Sequence, residues 1–398
     1  MSLKTRILLN AFTASFAGVL LQRGIYFYTN DVLGFTQAHN LWFALLFGVA
    51  YIVGASASHP IAARLGERRA IQSAIGLLVL VHVWLVCFPS ALSLTIAFAL
   101  VPLLQGSVWP ILESYMSAGE TPKSLGRALS RYNISWALSV PPALALAGPL
   151  IASGSVRSLF AVAAVLNAAV WLSCAAFPVH PTHLHAEDPA RPDPSAIARY
   201  RGLLVSARFA MLESYTLLFL LAPLMPELMK RVGFGTAAAA RASSLLDVAR
   251  LSCFIGLFAY SAWHGKKAPL VLAIVALPLG CALVLFGPSV PAVVSGELLF
   301  GAAAGFLYTA ALYYAQLVQN ASVDAGGAHE ALIGLGYALG PGAGLVGTAL
   351  AHGAGPGSGA YVRGMTTATL PMIALCTLGA LWPLFQARRE PLEGRTRS

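Results

Sequence analysis

Asp247 and Arg250 stand three residues apart inside "ARASSLLDVARLSCFIGLF", Ala240 to Phe258, a segment otherwise apolar enough to cross a bilayer. An ionised group at the centre of a membrane helix costs roughly 2.5–3.5 kcal/mol on insertion scales. The i, i+3 spacing puts both side chains on one helix face, close enough to pair. They read either as a structural ion pair packed against a neighbouring helix or as a pair lining a central aqueous cavity, since intramembrane charges usually mark a pathway. Arg23, in "LLQRGIYFYTND", either snorkels outward to Asp31 or meets acidic or hydroxyl groups of a bound solute, helped by Tyr26 and Tyr28. Glu213 in "FAMLESYT" and Glu297 in "VSGELLFG" are single acids in apolar runs. With Asp247 they are candidate proton carriers, because desolvation favours the proton-bound form of a carboxyl. Glu213 and Glu297 also read as hydrogen-bonded groups near the interface.

Other polar and aromatic residues in these runs are less specific. Asn133 in "SRYNISW" suits hydroxyl recognition or helix–helix bonding. Trp109, Trp136, Tyr308, Tyr313 and Tyr314 would stack on a ring-shaped solute, or simply pack. His82 has no acidic company and reads as a packing histidine. "HPTHLH", His180 to His185, lies in a solvated, proline-rich stretch and is a weak metal candidate. The cysteines (Cys87, Cys174, Cys253, Cys281 and Cys376) are far apart, show no CxxC, and read as small core residues. No HExxH, Walker A loop or GxSxG elbow appears, so phosphate-loop pumps and common hydrolases lose support. Neither a cofactor nor a metal is expected.

These residues must be positioned by membrane helices. Of the 398 residues 58% are hydrophobic and 10% charged, with a mean hydropathy of +0.73, whereas a soluble domain carries about 25% charged residues. Long apolar runs point to helices rather than the short alternating strands of a barrel. The net charge of +10 fits basic cytoplasmic loops. It does not call for nucleic acid, because no solvated basic domain is large enough to hold a duplex. The start, "MSLKTRILLNAFTASFAGVLL", looks like a signal peptide, but its apolar run continues and eleven more follow, so it reads as a retained first span.

At roughly 20 apolar residues per span, the sequence predicts spans near 7–29, 39–62, 69–88, 91–116, 126–152, 157–177, 206–229, 237–261, 268–287, 291–318, 329–352 and 365–386. "PVHPTHLHAEDPARPDPSAIARYR", Pro178 to Arg201, is too rich in proline and charge to span. The expected organisation is a six-helix bundle over 1–178, a linker over 179–204 and a second bundle over 205–398. The halves echo each other at an offset of 199 residues: Gly34–Phe35 over Gly233–Phe234, Gly66 over Gly265, Gly106 over Gly305, Tyr115 over Tyr314. Internal repeats of this kind build many transporters. With both termini inside, eighteen Lys and Arg fall on the inner side and five on the outer, which sets a cytoplasmic location for both ends.

Six plus six spans, a charged central loop and inner termini resemble the major facilitator superfamily. The most specific local match is "HPIAARLGERRA", where Gly66, Arg68 and Arg69 fit the family's Gly-x-x-x-Asp-x-x-Gly-Arg-Arg loop. His59, Ala63 and Glu67 depart from it. "HGKK", His264 to Lys267, is similar to the weaker second copy. In "ETPKSLGRA", Glu120 and Arg127 are similar to the acidic–basic pair with which some members latch the cytoplasmic side. The glycine- and proline-rich fifth and eleventh spans look like the family's gating helices. Glu113, close to Arg127 and Arg131, reads as part of a gate-forming ion pair ahead of a substrate contact. The resemblance implies an all-α membrane protein of twelve helices in two pseudo-symmetric bundles, and a transporter rather than an enzyme. The site would draw on Arg23, Tyr26, Trp109, Asn133, Asp247, Arg250 and Tyr308. The cytoplasmic gate would draw on Arg68, Arg69, Glu113, Glu120, Arg127 and Arg131. The expected partners are a small-molecule substrate, the lipid bilayer and a coupling proton, the chain acting as a monomer in the cell membrane. A multidrug exporter, a lipid flippase, a non-transporting sensor and a polytopic membrane enzyme are the rival readings.

Overall fold

The computed structural model describes residues 2–120, 122–152, 156–181, 194–260, 262–318 and 323–386. The first span is α1 (Leu3–Val19), a π turn (Leu20–Gly24) and α2 (Ile25–Asp31). Backbone angles at both junctions stay in the right-handed helical region, so these pieces form one rod from Leu3 to Asp31. There follow α3 (Gln37–Leu65), α4 (Glu67–Cys87), α5 (Ala91–Ser117), α6 (Pro122–Ala152) and α7 (Val156–Cys174). The second half holds α8 (Pro194–Arg231), α9 (Thr236–Ala242), α10 (Leu245–Ala259), α11 (Lys267–Phe286), α12 (Val290–Val318), α13 (Val323–Leu350) and α14 (Gly359–Gln386). Eleven helices are long and apolar enough to cross a membrane, counting Thr236–Ala259 as one. The rod containing the π turn is the twelfth. An even number of spans puts Ser2 and Gln386 on one side, the terminal face.

Helix boundaries follow local chemistry. Ser2, Thr36 and Ser90 accept hydrogen bonds from the backbone N–H groups of Thr5, His39 and Ser93, satisfying donors that a helix start leaves open. One boundary differs from expectation. The stretch 194–204 belongs to α8 rather than to the linker. Pro194 occupies the first helical position, where a missing N–H costs nothing, and no glycine interrupts Ser195 to Arg201. At 1.5 Å per residue the 38 residues of α8 reach about 57 Å, so its first turns project beyond the bilayer. Residues 182–193 of the expected linker, with His183 and His185, lie outside the described residues. Among the described residues no cluster of metal-ligating side chains forms.

The internal repeat is visible in backbone geometry. Gly34 and Gly233 have φ of +65° and +95°, and Gly66 and Gly265 of +79° and +72°. L side chains rarely adopt this region, so glycine recurs at equivalent turns. The six-helix bundles meet along two seams, α3 with α13 and α6 with α9 and α10. Large apolar residues such as Leu80, Val165, Leu272, Leu375 and Trp382 stay exposed around the outside, the surface that lipid covers.

Candidate functional site

Between the two seams lies a cavity lined from both halves. Its wall includes Gln22 and Arg23 of the first span, Tyr51 of α3, Trp109 and Glu113 of α5, and Tyr132 and Trp136 of α6. The second half supplies Tyr215 of α8, Arg250 of α10, Tyr308 of α12, and Glu330 and Tyr337 of α13. The 199-residue offset pairs Trp109 with Tyr308 and Tyr51 with Arg250, so equivalent positions of the repeat face the same space.

Arg23 belongs to the π turn Leu20–Gly24, a local widening often found at functional sites. Its Nη1 donates to Oδ2 of Asp247 across the two halves. Both groups are buried, with side chains 8% and 1% exposed. Asp247 sits in the first turn of α10, after the tightened turn at Ser243–Ser244, where a helix start favours negative charge. Arg250 Nη2 lies 3.7 Å from Asp247 Oδ1, too far for a hydrogen bond, and its guanidinium stands 4.8 Å above the Trp136 ring. That stacking is a cation–π contact. Trp136 in turn meets Tyr308 edge-on at 5.5 Å. Two guanidiniums therefore share one carboxylate, and Nε of Arg250 has no hydrogen-bond partner.

This places the sequence-derived candidates. Arg23, Trp109, Arg250 and Tyr308 line the cavity, and Asp247 anchors the two arginines from behind the wall. Arg23 does not reach Asp31, because Asp31 accepts from Lys230 and Thr236 on the face opposite the termini. Tyr26 packs on Phe98 at 6.0 Å, and Asn133 accepts from Trp136 Nε1 at 3.3 Å. Both stand outside the lining. Glu213 accepts from Thr377 Oγ1 at 3.1 Å, away from the cavity. Glu297 is fully buried with neither oxygen hydrogen-bonded, within the electrostatic reach of Arg23 and Asp247. His82 Nδ1 donates locally, to Leu78 O at 2.7 Å.

The gate residues are arranged differently from the pairing read in sequence. Glu120 pairs with Lys4 at 3.3 Å rather than with Arg127, because Lys4 reaches the end of α5 and also donates to the carbonyl of Ala118 at 2.8 Å. Arg127 and Arg131 are exposed, whereas Glu113 is buried and faces the cavity. No ion pair joins them among the described residues. Arg68 Nη1 donates to Phe177 O at 3.3 Å, within its own half, and Arg69 is exposed. Sequence reading missed Tyr51, Tyr215, Glu330 and Tyr337 as cavity residues. The repeat offers a signal for Tyr51, which lies 199 residues before Arg250.

The chain belongs to the major facilitator superfamily, whose family model matches residues 7–341. It is thus a multi-pass membrane transporter rather than an enzyme. Among curated proteins no relative matches. Similar solved structures include a bacterial homolog of the human lysosomal transporter Spinster, in an inward-facing and unoccupied conformation (16% identity, 98% of each chain, TM-score 0.70). They also include the nucleoside transporter NupG, at 14% identity over 98% of this chain and all of that one, TM-score 0.65. The human organic anion transporter MFSD10 (TETRAN) aligns at 15% identity, 97% and 99% coverage and TM-score 0.63.

Proposed function

We propose that this protein is a proton-coupled secondary transporter of the cell membrane, working as a monomer with its termini in the cytoplasm. Its solute is small, carries a ring and an anionic or hydrogen-bond-accepting group, and binds between the two halves. The observation that carries this reading is the sharing of Asp247 by Arg23 and Arg250 at an aromatic cavity wall. Each guanidinium offers five N–H donors, so one carboxylate leaves donor capacity for a solute acceptor. Trp136, Tyr308 and Trp109 supply flat apolar faces for the ring. Rocking of the two bundles about a site at their interface gives each side access in turn. The solutes named for two similar structures, nucleosides and organic anions, both carry acceptor oxygens and head the candidates.

The test is thermal melting of purified protein against nucleosides, organic acids, sugars, amino acids and drugs. A ring-bearing acceptor solute should raise the melting temperature, and Arg250→Gln should remove that rise while the protein stays folded. Stabilisation by large apolar cations alone, unaffected by Arg250→Gln or Arg23→Gln, would move the assignment to multidrug export.

A further inference from the structure

Glu113 of α5 lines the cavity and is 3% exposed, yet its Oε2 has no hydrogen-bond partner. Among the described residues no Lys, Arg or His forms an ion pair with it. A carboxylate held this deep needs a positive or donating group to offset its lost hydration. The hydroxyl of Tyr132 on α6 belongs to the same lining and is likewise buried and unpartnered. Gly326 of α13 keeps the space beside the carboxyl open, since a Cβ there would stand 3.0 Å from Oε2. Glu330, the other acid of the lining, already accepts from Tyr51.

Aromatic rings continue the same wall. Tyr51, Tyr337, Tyr215 and Tyr308 all line the cavity and follow ring to ring from α3 to α12, with centroids 4.9, 5.8 and 6.1 Å apart. Such a belt suits an alkylammonium. Aromatic faces attract its charge, and carboxylate and phenol oxygens accept from its three N–H donors. The positive groups of the cavity lie deeper. Arg250 stacks on Trp136, which stands four residues along α6 from Tyr132, a rise of about 6 Å. On α5, Trp109 stands the same four residues from Glu113. Both helices thus put the unpartnered oxygen one turn nearer the terminal face than the tryptophan.

We propose that Glu113 and Tyr132 form an ammonium subsite, so that the solute is a ring with a primary amine at one end and a carboxylate or equivalent acceptor at the other. The ammonium donates to Oε2 of Glu113 and to Oη of Tyr132. The acid meets Arg250 and Arg23 about one turn deeper, and the ring lies along the aromatic wall between them. The subsite deepens the transport reading and rests on it for the two arginines as the acid site.

The test is isothermal titration calorimetry of the purified protein with matched ligands. In para-(aminomethyl)benzoate an ammonium and a carboxylate face each other across one ring, and para-ethylbenzoate has a methyl group where the ammonium was. Phenylalanine and hydrocinnamate form the control pair, with the ammonium next to the carboxylate. The protein should bind the aminomethyl compound roughly 10–100-fold more tightly than the ethyl compound, the range expected of one charge-assisted hydrogen bond, and show no such preference in the control pair. Glu113→Gln should abolish the preference, and Arg250→Gln should weaken both benzoates. Tyr132→Phe should reduce the preference, which keeps the subsite open to test if Glu113→Gln does not fold. No preference for the amine, binding of neither benzoate, an equal preference in the control pair, or a preference that survives Glu113→Gln overturns the subsite. In any of these cases, para-ethylbenzoate binding that Arg250→Gln removes leaves the arginine site standing. Benzoate binding that neither Arg250→Gln nor Arg23→Gln weakens overturns the arginine site and the subsite that rests on it.

Discussion

Asp247 holds two guanidiniums from a position with 1% exposure, behind the cavity wall. Asp247→Asn leaves Arg23 and Arg250 without their carboxylate and should cost about 3–5 kcal/mol, the range for stranding a buried charge. Arg23→Gln still leaves Arg250 near Asp247 and should cost less. The double variant Arg23→Gln with Asp247→Asn should melt higher than Asp247→Asn alone. Equal melting of the double and that single would mean that the two residues are not coupled. That Asp247 and Arg250 matter was legible in sequence, because charge in an apolar run stands out. Arg23 as the nearer partner of Asp247 was not, since the two are 224 residues apart and only the packing of the halves joins them. The tyrosines of the cavity were hidden for another reason: aromatic side chains line a cavity or fill a core with the same sequence pattern.

The elements are set by small residues as much as by hydropathy. In "FGAAAGF" of α12, Gly301 and Gly305 lie one turn apart and let α10 approach closely. A Cβ at Gly301 would stand 2.0 Å from Leu246 O, and one at Gly305 would stand 2.9 Å from Arg250 O. Close backbone approach through small residues is a common way for membrane helices to associate. Gly301→Ala must push α10 away and should cost roughly 1–3 kcal/mol, displacing Asp247 and lowering solute binding. Gly256→Ala on α10, where nothing lies within 4 Å, should leave both melting and binding unchanged. Comparison of the two melting temperatures, with ligand shifts, checks this. The apolar runs placed all twelve spans to within a few residues at most ends, because hydropathy reports membrane crossing directly. They did not reveal the π turn at Leu20–Gly24 or the tightened turn at Ser243–Ser244. Both interruptions keep the composition of a span and alter only its hydrogen bonding.

For the whole molecule, the contacts between halves divide by depth. On the face opposite the termini, Asp31 accepts from Lys230 and Thr236, and Lys230 also donates to Asn30 at 2.7 Å. Toward the terminal face, Tyr51 and Glu113 meet α13. Lys230→Ala removes the only cation joined to Asp31 among the described residues and should favour opening of the face opposite the termini. The repeat was legible as a 199-residue offset, but these locks were not, since Asp31 read as a partner for Arg23 and only the packing of the halves brings Lys230 to it.

The central claim is that one cavity between the halves is reached from each side in turn. Val140 lines that cavity and is 3% exposed. The direct measurement is the reaction of Val140→Cys, in a chain without native cysteines, with a membrane-impermeant maleimide in vesicles of both orientations. The account predicts labelling from either face, with Lys230→Ala raising the rate from the face opposite the termini several-fold and lowering it from the terminal face. Labelling from one face only, at rates that Lys230→Ala leaves unchanged, would contradict it.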